Sequence, residues 1–211
     1  MYSFSLICLN SAFIIGVIDL IIKRFQYKAR WFQLHSITNY VISALTLCDV
    51  CDCLLDPSQS SIKQSPGYAA GLTLTLHLYH SVLFNMRVED WCHHISGFII
   101  TPILIDYSCK GISFAYFFIT GLPGAIDYSV LVLYKNDIVK KETHKFISSK
   151  LNAYIRMPGG IISSYLLFKD TISQPIINNH MLLLCAFLYL NSCFYGKQAI
   201  ENYGAFREIN L

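Results

Sequence analysis

The chain has 211 residues, 54% hydrophobic and only 14% charged, where soluble domains usually carry about 25% charged residues. That composition excludes an ordinary soluble enzyme and points to a polytopic membrane protein. The formal net charge of +3 comes without a basic cluster interleaved with aromatics, which excludes nucleic acid as a partner.

Seven apolar segments approach the ~20 residues needed to cross a bilayer: Ser5–Ile22, Leu34–Leu55, Gly67–Met86, Trp91–Ser108, Ile112–Tyr134, Leu151–Phe168 and His180–Tyr195. The first lacks a basic leader and a small-residue cleavage motif, so it reads as a retained span. Connections are brief and leave no room for a separate soluble domain. Basic residues fall unevenly between alternate loops. Twelve lie in the first, third and fifth loops and the tail, against Lys63, Lys110 and Lys169 on the other side. This bias predicts a lumenal N-terminus and a cytosolic C-terminus.

The second segment ends in Asp49, Asp52 and Asp56, spaced i, i+3, i+7, before Pro57. They read as solvated carboxylates at a helix exit, with a cation or head group as the sharper alternative. Of the eight cysteines, Cys48, Cys51 and Cys53 imitate a metal motif, but no second C-x-x-C accompanies them. Cysteines in apolar segments behave as small hydrophobes, so no metal site is expected.

Three polar marks interrupt the region Leu72 to Tyr128: H-L-Y-H at His77 to His80, E-D-W-C-H-H at Glu89 to His94, and G-L-P-G-A-I-D-Y at Gly121 to Tyr128. Ionisable groups in such runs are costly and are functional candidates by default. His77 and His80 share a helix face, as do Gly124 and Asp127. The predicted topology puts His77, His80, His93, His94, Asp127, Asn152 and Arg156 at a similar cytosolic depth. His77, His93, His94 and Asp127 are therefore expected to approach one cavity. The alternative for the His93–His94 pair is solvation at a helix start, with Asp90 favoured there by the helix dipole. Pro102, Pro123 and Pro158 remove backbone donors within spans and predict kinks.

The order of these features resembles the TLC-domain proteins, which include the ceramide synthases. The matching residues are Ala29-Arg30-Trp31 with Ser36, then H-L-Y-H, then Asp90 with His93-His94, then Gly121 to Tyr128, with Asn152 to Gly160 downstream. The resemblance implies an all-α membrane protein of about seven transmembrane helices, six of them curved around a central cavity open to the cytosol. Residues 1–30 would form a first span and basic loop, and 31–211 the TLC-like domain. It also implies an endoplasmic reticulum protein of lipid metabolism, whose partners are membrane lipids and whose co-substrate is acyl-CoA, with no bound cofactor. His93 and His94 match a pair that transfers an acyl group to a lipid amine. His93, His94 and Asp127 are thus the catalytic candidates, and His77, His80, Asn152 and Arg156 the substrate-binding ones. The H-D-x-S-D element of catalytic members is reduced here to Asp127, which keeps open a non-enzymatic lipid-binding or membrane-homeostasis role.

Overall fold

Helix α1 (Phe4–Arg24) lies beside α3 (Gly67–Leu83), and α2 (Arg30–Leu55) runs through the middle of the molecule. The computed structural model describes residues 4–25, 28–62, 67–86, 88, 91, 94–95, 97–101 and 109–209. A tight turn (Pro57–Ser61) follows α2. Beyond the helical residues at 97–101, α4 (Lys110–Ala115) passes through a widened π turn (Tyr116–Gly121) into α5 (Leu122–Lys135). Helix α6 (Lys141–Leu151) passes through a second π turn (Asn152–Arg156) into α7 (Met157–Ser173), and α8 (Asn179–Ile209) closes the chain. Every regular element among the described residues is helical.

Among the described residues, three helices are long and apolar enough to cross a membrane: Phe4–Arg24, Arg30–Leu55 and the continuous rod Lys110–Lys135. Their outward faces carry large exposed apolar side chains such as Leu9 and Phe13, and α8 exposes Leu183 and Leu190 likewise. Exposed apolar surface on this scale fits lipid contact better than water. Many buried hydroxyls are satisfied within their own helices: Thr46 donates to the Ile42 carbonyl, Thr171 to that of Leu167 and Ser192 to that of Leu188, while Ser164 donates across to the Cys185 carbonyl. This answers the requirement that polar groups in an apolar medium be paired internally.

Both π turns end two residues before a proline. Pro123 and Pro158 have no N–H for the preceding turn, so the carbonyls they would have served are accommodated by a wider turn. The expected kinks at Pro123 and Pro158 therefore take the form of π turns, while Pro102 lies outside the described residues. The sixth apolar segment is longer than its hydrophobic stretch, since the polar Lys141–Leu151 is helical and continuous with it. Likewise the seventh extends well beyond Tyr195, to Ile209.

Charge pairs mark the two ends. Lys28 meets Asp137 at 3.3 Å, joining the first loop to the loop after α5, and Lys145 donates to the Asn202 carbonyl of α8. At the other end of α2, roughly 33 Å from Arg30 at 1.5 Å per residue, Asp52 meets Lys110 at 2.6 Å. The basic loops thus gather at one end of the bundle. The reading of the acidic stripe as uniformly solvated is corrected: Asp49 is buried, Asp52 is paired and Asp56 accepts from the Ser58 N–H and hydroxyl. Those bonds hold the exposed Asp56 carboxyl below its usual range.

Helices α7 and α8 cross where Gly160 faces Ser192, and a Cβ at Gly160 would overlap the Ser192 side chain. Gly16 on α1 has nothing within 4 Å of the same position. Gly160→Ala should therefore lower the melting temperature of detergent-purified protein by the equivalent of about 1–3 kcal/mol. Gly16→Ala should leave it unchanged or raise it slightly, because alanine is the better helix former. Equal melting temperatures for the two variants would contradict this packing.

Candidate functional site

Four imidazoles from three separate segments converge near the basic end of the bundle. Helix α2 supplies His35, α3 supplies His77 and His80 one turn apart, and the following segment supplies His94. All four are buried, His80 and His94 to 3% exposure. Ring centroids are 4.5 Å apart for His77–His94, 4.7 Å for His80–His94 and 5.3 Å for His35–His80. His35 Nε2 and His80 Nδ1 lie 3.3 Å apart. An N–H···N bond needs one lone pair, so at least one ring of that pair is neutral.

Aromatic side chains wall the cluster. The Trp31 ring packs edge-on against His80 with centroids 3.6 Å apart, Tyr128 lies against His35 at 4.8 Å, and Phe98 flanks both His77 and His94. Gly97 is required by this closeness, because a Cβ there would stand 2.9 Å from His77 Nδ1. His94 Nδ1 lies 3.2 Å from the His77 backbone carbonyl and 3.3 Å from the Ser81 hydroxyl. A carbonyl only accepts, so the contact assigns the proton to Nδ1. Nε2 of the neutral ring then carries the lone pair.

His77 also lines a partly open apolar pocket of about 90 Å³ with Thr73, Ile100, Tyr116, Ile119 and Leu188. This volume is small beside the ~300–1,000 Å³ of typical ligand pockets, so in this form it accepts only a few atoms of a chain. The histidines therefore sit between an aromatic wall and an apolar mouth.

Asp127 is not brought to this cluster. On a helix, successive residues point about 100° apart, so Tyr128 reaches His35 while Asp127 faces α6. Its Oδ1 lies 3.5 Å from His144 Nε2. It lines a second, more polar pocket of about 230 Å³ with Lys145, Asn152 and Arg156. The expectation of one cavity joining His77, His94 and Asp127 is corrected to two neighbouring sites. His80 joins the histidines, whereas Asn152 and Arg156 stay with Asp127. His93, Glu89 and Asp90 lie outside the described residues.

His94 itself is buried, so a solvated helix start does not describe it. His35 is not among the residues singled out from sequence, where Trp31 and Ser36 stand on either side of it. Its signal was a histidine inside an apolar run. Among the described residues no group of three or more His, Cys, Asp or Glu side chains is arranged to hold a metal ion.

A polar anchor ties α1 to α2 and α3. Asp19, buried on α1, meets Arg30 Nε at 2.7 Å and accepts from the Tyr79 hydroxyl at 2.8 Å. The Arg30 N–H is not aligned for a hydrogen bond, so the contact is a close ion pair. Arg30 also lies over the Phe84 ring, 4.8 Å from its centroid. Ala29 takes a left-handed backbone (φ 59°) as α2 starts, a conformation that costs an L-residue about 1–2 kcal/mol. This strained turn sits directly before Arg30 and Trp31. No family model matches the chain, and no curated protein or solved structure matches it either.

Proposed function

We propose that this is a multi-pass endomembrane protein of lipid metabolism that transfers an acyl group from acyl-CoA to a lipid amine, with the histidine cluster as its reacting centre. The observation that carries the reading is a buried set of imidazoles bordering an apolar pocket. Imidazole can take a proton near neutral pH, and we assign that role to His94, whose Nδ1 faces the His77 carbonyl. In the step, the amine nitrogen attacks the thioester carbonyl and gives its proton to His94 as the amide forms. The C–S bond breaks, and the CoA thiolate leaves and receives the proton. The apolar pocket beside His77 takes the carbons next to the carbonyl, and the rest of the chain runs out through its open mouth.

Seven spans, a cavity facing the cytosol, a TLC-like domain and an endoplasmic reticulum location belong to the same proposal. The gathering of basic loops at one end supports the orientation, with that end cytosolic. A reporter inserted within Lys135–Lys150 should remain unglycosylated, and one within Ser58–Pro66 should be modified; the reverse pattern overturns the orientation.

The position of Asp127 favours a second reading. With Asp127 turned to His144 instead of the histidine cluster, the same pocket would serve a non-enzymatic lipid-binding or membrane-homeostasis protein. Purified protein incubated with acyl-CoA and a panel of sphingoid and other lipid amines separates the two. Amide formation matched by CoA release supports transfer. No turnover across the panel, with a lipid stably co-purifying, supports binding alone.

A further inference from the structure

The polar pocket at the basic end holds opposite charges that do not satisfy each other. Arg156 Nη1 donates to Asn152 Oδ1 at 2.9 Å, while its Nε is buried without a hydrogen-bond partner. Asp127 Oδ1 is also buried without a hydrogen bond, its only described ion-pair contact being His144 at 3.5 Å. Among the described residues Arg156 makes no ion pair with Asp127 or any other carboxylate. Lys145 adds a second cation, held by the Asn202 carbonyl. Unpaired buried charge is costly, and Asp127, Lys145 and Arg156 together line a pocket of about 230 Å³.

A purely anionic ligand would suit Arg156 and Lys145 but meet the Asp127 carboxylate. A purely cationic one would suit Asp127 and leave the guanidinium unanswered. We infer that this pocket is a head-group site for a zwitterion carrying a phosphate and a primary ammonium. The phosphate goes to the Arg156 fork, which favours planar, paired recognition of phosphate oxygens, with Lys145 beside it. The ammonium goes to Asp127. The second π turn, Asn152–Arg156, aims the guanidinium into the pocket, and such turns are frequent at functional sites. The inference uses none of the four clustered histidines, so it stands or falls apart from acyl transfer.

The chemistry admits two sources, a phospholipid head group or a soluble aminoalkyl phosphate, and the test distinguishes them. Full-length protein in phosphatidylcholine nanodiscs doped equally with phosphatidylethanolamine and phosphatidylglycerol is released and its retained lipid weighed by native mass spectrometry. Phosphoethanolamine is titrated in parallel by calorimetry. Phosphatidylethanolamine should be enriched about tenfold or more over both other lipids, the scale of a charged hydrogen bond. Asp127→Asn should erase its preference over phosphatidylglycerol, and Arg156→Gln should abolish retention of both. Gln198 is exposed at the pocket rim, so Gln198→Glu weakens phosphate binding without threatening the fold. Binding of phosphoethanolamine that depends on Asp127 and Arg156, with no lipid enrichment, assigns the soluble source. Enrichment of phosphatidylglycerol over phosphatidylethanolamine, or no difference among wild type and all three variants in either arm, overturns the inference.

Discussion

His94→Asn is expected to lower amide formation by about 10²-fold or more, the usual contribution of a positioned general base, while the protein stays folded. Asparagine is the informative replacement because its side-chain N–H can take over the donation from Nδ1 to the His77 carbonyl. It supplies no lone pair where Nε2 stood. Alanine would confound the result, since His94 is buried and its removal leaves a cavity and an unanswered carbonyl. His35→Asn should do less harm, because His35 is linked to the reacting ring through His80 and His77. Full activity in His94→Asn would move the base elsewhere, with His93 the first place to look.

The largest loss of stability is expected from Arg30→Met. It strands the Asp19 carboxylate, whose side chain is 7% exposed, with the Tyr79 hydroxyl as its remaining partner among the described residues. Breaking a buried pair by removing one member costs about 3–5 kcal/mol. Arg30 is 30% exposed, so water can partly reach the gap and the lower figure applies, about 3 kcal/mol. That corresponds to a fall in melting temperature of roughly 6–12 °C for a chain of this length. Asp19→Asn added to Arg30→Met should recover most of it, because a neutral amide oxygen still accepts from Tyr79 and leaves no stranded charge. A double variant as unstable as the single would mean that Arg30 acts through its packing on Phe84.

The helices were legible because apolar runs of membrane length and their proline and glycine breaks carry their own signal. Lys141–Leu151 was not, since its helix is polar and amphipathic and joins a span without an apolar boundary. His77 and His80 were legible from spacing. His35 was passed over because a lone histidine has no periodicity, and only the crossing of α2 and α3 makes it a neighbour of His80. The sequence also aligned Asp127 with the histidines by depth. Depth fixes height along a bundle and says nothing about direction around a helix, so one residue's rotation separates Tyr128 at the histidines from Asp127 at His144. Asp49 shows the same limit, looking solvated at a helix end until the packing of α2 buries it.

The claim that the histidines border an acyl-binding pocket is tested most directly by photolabelling. Purified protein is incubated with a fatty acyl probe carrying a diazirine near its carbonyl, irradiated, and digested for mass spectrometry. The account predicts adducts on Ile100, Ile119 and Leu188, which line the pocket beside His77, suppressed by excess unlabelled acyl chain. Adducts confined to lipid-facing side chains such as Leu9, Phe13 and Leu183, unchanged by competitor, would contradict it.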